Sequence, residues 1–410
     1  MKVAGIIAEY NPLHSGHIYQ MEETRKQTGA DYIVVAMSGS YTQRGIPAFF
    51  DKYLRTEMAL RAGADLVLEL PVSVSTGSGE YFAKGGVTLL NSLGVVTDLS
   101  FGSECGDIEK LSEIATFLTN ETDDFKHEVQ DQLAQGKTYP LAISTVASRF
   151  LPDAENILSS PNNTLGIEYL KALSSINSKI TPITIKRKGS QYNDSEINSD
   201  YPSATALRKI CTDSNYELLL KYLPKEAVQV IIESGFHKVS GHIISDDFSE
   251  SLGGKLIYAS SLADYADLSP ELANRITKII NKEALTFTEL VDAIKTKQIT
   301  QARIQRALLH VILEINNETM EYIKKADSAP YVRVLGMKRN SSPLLKEIRK
   351  HTTAPVIARP AKDMSLLSGK ALELMQQDLK AYELYRLIWH NKYPQSIYTL
   401  REDYKGMLIL

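Results

Sequence analysis

Four short apolar runs alternate with three helical stretches over the first hundred residues, and this alternation restricts the fold more than any other feature. The apolar runs have strand length and cover Val3–Ile7, Tyr32–Ala36, Leu66–Leu70 and Val95–Phe101. The helical stretches between them cover Ser15–Thr28, Asp51–Ala62 and Glu80–Leu93. This spacing predicts a Rossmann-like α/β fold with a parallel sheet and right-handed crossovers. Ligands bind outside the carboxyl ends of the strands in such sheets, so the loops there should carry the chemistry.

The pattern changes twice further along the chain. Residues 107–172 are mainly helical, Ile180–Lys186 reads as one more strand, and a short helix begins near Ala204. After residue 240 helical apolar periodicity dominates, and it covers Leu256–Leu262, Leu272–Ile280, Ala302–Ile315 and Leu367–Trp389. We therefore expect an α/β domain over residues 1–240, followed by a mostly α-helical C-terminal domain over residues 241–410.

Composition indicates a globular cytoplasmic protein. Hydrophobic residues make up 43% of the chain, and no apolar run approaches the roughly 18 residues that span a bilayer. The apolar N-terminal stretch ends at Glu9, which is too short for a signal peptide. Only two cysteines occur, Cys105 and Cys211, so we expect a reducing compartment and no disulfide framework. No Cys/His spacing suits zinc, and no metal-ligating residues are expected.

The segment His14-Ser15-Gly16-His17 is the clearest chemical signal. It follows the first predicted strand and begins a helix, with both imidazoles on one face. Exposed backbone N–H groups and the positive end of the helix favour anions there. Gly16 has no Cβ, so a nucleotide could approach the backbone closely. The arrangement suits stabilisation of negative charge in phosphoryl or nucleotidyl transfer, and ordinary capping histidines are the alternative.

Further positions fit a nucleotide pocket. The run Ser203–Arg208 offers hydroxyls and a fixed cation at a helix start, where phosphates bind. Gly102 follows the fourth strand and would let an adenine ring lie against the backbone. The side-chain amide of Asn162 could read adenine or ribose, although helix capping explains it equally well. Arg187 and Lys188 would place cations at the carboxyl edge of the sheet, with a solvated charge run as the alternative.

Charge is unevenly distributed along the chain. Residues 1–250 contain 22 Lys+Arg against 32 Asp+Glu, whereas residues 251–410 contain 24 against 17. Within Lys324–Lys362 there are ten basic residues and two acidic ones. Such asymmetry indicates nucleic-acid contact by the basic part, with a solvated helical surface as the plainer alternative.

The motifs resemble those of known enzymes. His14–His17 resembles the HxGH motif of the adenylyltransferase superfamily, and Ser203–Arg208 matches its second motif in the right order. Longer runs, spread over the whole chain, resemble the bacterial tRNA(Met) cytidine acetate ligase family. They are AEYNPLHSGH, SGSYTQRGIPAF, DKYLRTEMALRAGADLVLELP, FGSECGD, SPNNTLGIEY, IKRKGSQYND, QARIQRALLH and RLIWHNKYP.

The resemblance implies a nucleotidyltransferase-like domain that activates acetate with ATP as acetyl-adenylate, releasing pyrophosphate. The acetyl group would pass to N4 of the wobble cytidine of elongator tRNA(Met), giving N4-acetylcytidine. Nucleotide contacts carry over onto the stretch Ile7–Gln20 and onto Gly102, Asn162 and Arg187. Within and beside these we expect ATP contacts from Ile7, Ala8, Glu9, Tyr10, Asn11, Pro12, His14, Gly16, His17, Gly102, Asn162, Arg187, Lys188 and Ser203.

Three residues are expected to hold the phosphates, namely His14, His17 and Arg208, with Mg²⁺ shielding the pyrophosphate. The basic C-terminal domain is expected to bind tRNA, with Tyr331 lying among its cations. The expected tRNA-binding residues are Arg333, Lys338, Arg339, Lys346, Arg349 and Lys350.

Three alternatives remain open at the level of sequence. One is a small-molecule adenylyltransferase that acts on nicotinate mononucleotide or pantetheine phosphate, although it would not need the basic helical half. Another is a relative of the aminoacyl-tRNA synthetases. Residues Met337–Ser341 faintly resemble the lysine-rich loop of that class. The third is a non-catalytic RNA-binding factor on the same scaffold, against which the intact His14, Gly16, His17 and Arg208 argue.

Overall fold

One eight-stranded sheet runs through the computed structural model, in the order β5-β4-β1-β2-β3-β6-β7, with β8 paired to β6. Its strands are β1 (Val3–Ala8), β2 (Tyr32–Ser38), β3 (Leu66–Leu70), β4 (Asp98–Ser103), β5 (Thr181–Lys186), β6 (Val332–Met337), β7 (Val356–Ile357) and β8 (Leu408–Ile409). The structure describes residues 1–188, 204–212, 216–235, 242–282, 285–394, 399 and 401–410.

Helices cover both faces and ends of the sheet. In the first half they are α1 (Ser15–Thr28), α2 (Lys52–Arg61), α3 (Val72–Ser75), α4 (Gly79–Ser92), α5 (Ile108–Thr119), α6 (Asp123–Ala134), α7 (Tyr139–Ala147), α8 (Ala154–Leu158), α9 (Pro161–Ser175), α10 (Ala204–Thr212), α11 (Tyr216–Tyr222) and α12 (Lys225–Glu233). Later ones are α13 (Ser249–Tyr258), α14 (Pro270–Ile280), α15 (Phe287–Ile294), α16 (Gln301–Leu313), α17 (Asn317–Lys325), α18 (Ser342–His351), α19 (Pro360–Asp363) and α20 (Gly369–Lys392). Short 3₁₀ turns cover Ser245–Phe248, Leu262–Asp264, Arg339–Ser341, Met364–Leu366 and Glu402–Tyr404.

The topology places a crevice beside β1. This strand pairs in parallel with β2 on one side and with β4 on the other, so the strand order reverses at β1. In an open α/β sheet the loops at such a reversal diverge and leave a ligand crevice at the carboxyl ends of the strands. Helix α4 packs closely against β1, since a Cβ on Gly86 of α4 would lie 2.7 Å from Cδ1 of Ile7.

The Rossmann-like α/β fold is confirmed. The strands that run in parallel from β1 to β5 lie where the apolar runs predicted them, and α1 covers Ser15–Thr28 as expected. The C-terminal part is mostly helical, but it also returns to the sheet through β6, β7 and β8, and β6 pairs antiparallel to β3. The division into domains at residues 240 and 241 stays a prediction.

No helix among the described residues is long and apolar enough to cross a membrane.

Candidate functional site

A polar pocket opens at the crevice beside β1. It is bounded by the loops after β1, β2 and β5, by the carboxyl end of β4 and by residues of α1, α4, α9 and α10. Eleven of the sequence-predicted residues line it: Ile7, Ala8, Glu9, Tyr10, Asn11, His14, His17, Gly102, Asn162, Arg187 and Arg208. The fold therefore brings residues that are nearly two hundred positions apart into one site, as the hydrogen bond between Asn11 and Arg208 illustrates.

The two histidines of the motif form the N-terminal cap of α1. Nδ1 of His14 accepts the backbone N–H of Gly16 at 3.1 Å, and Nδ1 of His17 accepts the backbone N–H of His14 at 3.2 Å. Their rings stack with centroids 3.8 Å apart. Because each Nδ1 accepts a hydrogen bond, each neutral ring carries its proton on Nε2. The capping hydrogen bonds therefore leave Nε2–H of both rings to donate on the pocket wall.

Both imidazoles are held in the neutral form. Burial lowers the pKa of His14 to about 3, and the neighbouring cations Arg187 and Arg208 act in the same direction. Burial, then His14 and Arg187, hold the pKa of His17 well below its usual range. A neutral ring still donates from Nε2, so the pair can hydrogen-bond a phosphate oxygen without protonation.

Gly16 leaves room for the His14 ring in the histidine cap. A Cβ at this position would lie 3.0 Å from Cε1 of His14 and 3.1 Å from its Nδ1, closer than ordinary van der Waals contact. The residue does not line the pocket, so its role within the protein is to let the His14 ring fold back over the helix start.

Arg208 is fixed at the mouth of the pocket. Its Nη1 donates to the backbone oxygen of Asn11 at 2.6 Å, and its Nη2 donates to the hydroxyl of Thr205 at 3.1 Å. This joins α10 to the loop after β1. A guanidinium held by two partners presents a fixed cation to a phosphate with little ordering cost.

The opposite wall comes from β4, β5 and α9. A Cβ on Gly102 would lie 3.4 Å from Cγ of Arg187, an ordinary van der Waals contact, so the arginine side chain passes over this glycine. Nδ2 of Asn162 donates to the carboxylate of Glu104 at 2.6 Å. That bond fixes the amide, which leaves its oxygen to accept, and its second N–H to donate, a hydrogen bond to a ligand.

Some lining residues were not predicted individually from the sequence. Thr42, Gln43 and Arg44 line the pocket from the loop after β2, and the backbone N–H of Gln43 donates to Oε1 of Glu9 at 2.7 Å. Burial raises the pKa of the Glu9 carboxyl, while this N–H and the nearby Arg208 lower it. The signal that could have found them is their place directly after a buried parallel strand.

Three predicted ATP contacts are not brought into the pocket. Pro12 and Gly16 belong to the motif loop but do not line the cavity. Lys188 does not line the cavity either, and its Nζ lies 4.1 Å from the centroid of the Tyr19 ring. Ser203 lies outside the described residues.

The prediction that Arg333 contacts tRNA is wrong. Its side chain is fully buried, and Nη2 donates to the backbone oxygen of Asp403 at 3.1 Å and to the Tyr53 hydroxyl at 3.2 Å. Tyr331 is also buried, and its hydroxyl donates to Asp378. Arg333 in β6 and Tyr331 just before it both lie in the core, so a basic sequence there does not mean a basic surface.

The other residues that were predicted to contact tRNA lie at or near the surface. Arg339, Lys346, Arg349 and Lys350 are exposed, and Lys338 is half-buried beside Asp65. Because Met337 pairs with Leu66, Lys338 and Arg339 lie at the amino edge of β3, about one strand length from the pocket. Met337–Ser341 therefore cannot serve the pocket as the synthetase lysine-rich loop would.

Among the described residues there is no group of three or more His, Cys, Asp or Glu side chains placed to hold a metal ion.

Comparisons with known proteins agree with this geometry. The chain matches the family of HIGH nucleotidyl transferases over residues 1–399. It is 37% identical over 400 residues to the tRNA(Met) cytidine acetate ligase of Acetivibrio thermocellus, covering 95% of this chain and 96% of that one. It is 39% identical over 390 residues to the enzyme of the same name from Clostridium novyi, covering 94% and 95%.

Solved structures extend the likeness to the fold. Thermotoga maritima TmcAL in its apo form aligns over 100% of both chains with a TM-score of 0.91 and 29% identity. The same protein bound with alpha-thio ATP aligns with a TM-score of 0.88 and the same coverage. With the HxGH motif and its pocket at the β1 switch point, the chain belongs to the tRNA(Met) cytidine acetate ligase family of HIGH nucleotidyl transferases.

Proposed function

We propose that this protein is an ATP-dependent ligase that activates acetate as acetyl-adenylate. It then transfers the acetyl group to N4 of the wobble cytidine of elongator tRNA(Met). The observation that carries the proposal is the pair of neutral imidazole donors, His14 and His17, which line one pocket together with Arg187 and Arg208. The names of the relatives and the ATP analogue bound by TmcAL support it.

In the first step an acetate oxygen attacks the α-phosphorus of ATP. A bond forms between that oxygen and phosphorus, the bond to the bridging oxygen breaks, and pyrophosphate leaves with the electron pair. Acetate is already a competent nucleophile, so the protein contributes position and charge stabilisation. Nε2–H of His14 and of His17 would donate to phosphate oxygens, and Arg208 would offset the negative charge that develops.

In the second step the N4 amine of cytidine attacks the carbonyl carbon of acetyl-adenylate. The new C–N bond replaces the bond between carbonyl carbon and phosphate oxygen, AMP leaves with that electron pair, and the amine releases one proton. The amine is a poor nucleophile because its lone pair is delocalised into the ring. An activated acyl donor and a water-excluding site are therefore both required.

Mg²⁺ would be held mainly by the phosphates of ATP. This ion keeps several waters and needs only one or two protein carboxylates when a nucleotide supplies oxygens. Glu9 is the carboxylate that lines the described part of the pocket, which fits such a shared site better than a protein cage. When bound, the ion would shield the leaving pyrophosphate.

We further propose a cytoplasmic location, where tRNA and ATP are available, and tRNA binding by residues 241–410. The exposed cations Arg339, Lys346, Arg349 and Lys350 support the second point. Three of them lie on α18 at spacings of three and four residues, which puts them on one face of the helix.

Transfer of radiolabelled acetate to bulk tRNA, with and without ATP, tests the proposed function. We expect ATP-dependent label in one tRNA species. If no tRNA is labelled while the protein exchanges pyrophosphate into ATP with another acid or with a mononucleotide, the chain is a small-molecule adenylyltransferase instead.

Neutralising the exposed cations should weaken tRNA binding. In a variant with Arg339, Lys346, Arg349 and Lys350 changed to Gln, each lost phosphate contact should reduce the salt slope of binding by about one. Binding titrations between low and moderate salt measure the slope. Acetate-dependent exchange without tRNA should persist.

A matched control makes the same change in charge within residues 1–240, at the exposed Lys26, Lys110, Lys126 and Lys179. It should bind tRNA much as the wild type does. An unchanged slope in the first variant, or an equal loss in the control, would show that α18 is not the tRNA surface.

A further inference from the structure

A second cavity lies directly beside the nucleotide pocket. Its volume is ≈ 250 Å³, and the described residues that line it are Ile46, Pro47, Phe49, Thr205, Arg208, Lys209, His242, Ile243, Ile244 and Ser245. Ile46, Thr205 and Arg208 line both cavities. A molecule in the second cavity would therefore lie next to a molecule in the first.

Asn11 holds the wall between the two cavities. Its backbone oxygen accepts from Nη1 of Arg208 at 2.6 Å, and its side-chain oxygen accepts from the backbone N–H of Phe49 at 2.6 Å. Asn11 and Phe49 are each 4% exposed. One residue of the motif loop thus fixes both the cation that faces the nucleotide and the aromatic residue that faces the second cavity.

An aromatic pair forms one side of this second cavity. The rings of Phe49 and His242 stack with centroids 5.1 Å apart and an interplanar angle of 13°. The hydroxyl of Tyr393 accepts from the backbone N–H of His242 at 3.1 Å and donates to its backbone oxygen at 3.2 Å. Burial and the nearby Lys392 lower the pKa of His242, opposed by Asp247, which favours a neutral ring with an uncharged face.

These features match the chemistry of an unstacked nucleobase. Proteins bind single-stranded bases on the faces of Phe, Tyr, Trp and His, with cations beside the backbone phosphates. Here Ile46, Pro47 and Ile243 line the cavity together with the aromatic pair, and Arg208 and the exposed Lys209 add positive charge to its lining. A lipid or an apolar peptide would not need the two cations or the opening to a nucleotide pocket.

We propose that the second cavity is the acceptor pocket, in which a cytosine splayed out of the anticodon loop stacks on the Phe49–His242 pair. Its N4 amine faces the shared wall and the acetyl-adenylate beyond it. The proposal rests on the proposed function and adds the place where the acceptor base binds.

Substitution of His242 tests the acceptor pocket. In His242→Ala the kcat/KM for elongator tRNA(Met) should fall by about 10- to 100-fold, the effect of removing one base-stacking side chain. His242→Phe keeps a stacking face and should stay within about threefold of wild type. Acetate-dependent ATP–pyrophosphate exchange without tRNA should change little in either variant, and the exposed His127→Ala serves as the control.

Photocrosslinking gives a readout that does not depend on any variant. Elongator tRNA(Met) with 5-bromocytidine at the wobble position is bound to the wild-type enzyme, irradiated and digested. The crosslinked peptide should contain residues 46–49 or 242–245. A crosslink elsewhere, or wild-type transfer by His242→Ala, overturns the acceptor pocket alone. Absence of acetate-dependent exchange in the wild type instead overturns the proposed function.

Discussion

His14→Ala should reduce acetate-dependent ATP–pyrophosphate exchange by about 100- to 1,000-fold, the usual effect of removing one fixed donor from a transition-state anion. Nε2–H of His14 is fixed as a donor because Nδ1 accepts the N–H of Gly16. Since the wild-type ring is buried and neutral, titration of His14 should not make wild-type exchange depend on pH between 6 and 8. Exchange kinetics at saturating ATP and acetate measure the effect.

The controls for this variant separate catalysis from folding. His14 also caps α1, and loss of a cap costs about 1 kcal/mol, so thermal unfolding should shift only slightly. His127→Ala removes an exposed histidine of α6 and should leave exchange intact. If His14→Ala retains wild-type exchange, the imidazole is a structural cap and the phosphate role is wrong.

Asp403→Ala should lower the free energy of unfolding by about 3–5 kcal/mol, because it removes one partner from a buried ionic cluster. Oδ2 of Asp403 accepts from Lys52 at 2.8 Å, and Oδ1 accepts from the Tyr53 hydroxyl at 2.6 Å. Lys52, Arg333 and Asp403 are each 0% exposed. Without the carboxylate, Glu69 is the buried carboxylate that remains within 4.0 Å of both cations among the residues that the structure describes.

Urea unfolding of the wild type and the variant measures this loss. Lys405→Ala, two residues from Asp403, removes the exposed partner of the half-buried Glu402 and should unfold close to wild type. If Asp403→Ala is too unstable to purify, Asp403→Asn keeps the shape and should show a smaller loss of the same sign. Unfolding of Asp403→Ala within 1 kcal/mol of wild type would contradict the account.

The sequence was sufficient to predict the part of the site that depends on local structure. The motif His14–His17 follows a strand and begins a helix, and the capping contacts span only two and three residues. Parallel strands of the predicted lengths then require a pocket at the carboxyl edge, because the strand order reverses at β1. Arg208 was found because its helix start carries a motif of its own.

Long-range contacts explain what the sequence did not predict. Arg333 lies in a basic stretch, and its burial depends on Asp403, which is 70 residues later. Lys52 and Asp403 are 351 residues apart, and no local pattern indicates that either is buried. The same applies to β6, whose pairing with β3 brings the C-terminal part back to the sheet.

The acceptor pocket also depends on long-range contacts that the sequence does not predict. Phe49 and His242 are 193 positions apart in the chain, and only the fold stacks their rings. Phe49 ends the run SGSYTQRGIPAF, but nothing in that run associates it with His242 or with a second cavity. Asn11 connects Phe49 to Arg208 of the nucleotide site through two hydrogen bonds, and only the folded structure shows them.

The fate of the acetate oxygens tests the central claim most directly. The protein is incubated with ATP, elongator tRNA(Met) and acetate labelled with ¹⁸O in both oxygens, and the AMP product is analysed by mass spectrometry. If acetate attacks the α-phosphorus and the acyl bond then breaks at the carbonyl carbon, AMP gains one ¹⁸O atom. AMP without ¹⁸O, or label in inorganic phosphate instead, would contradict activation of acetate as acetyl-adenylate.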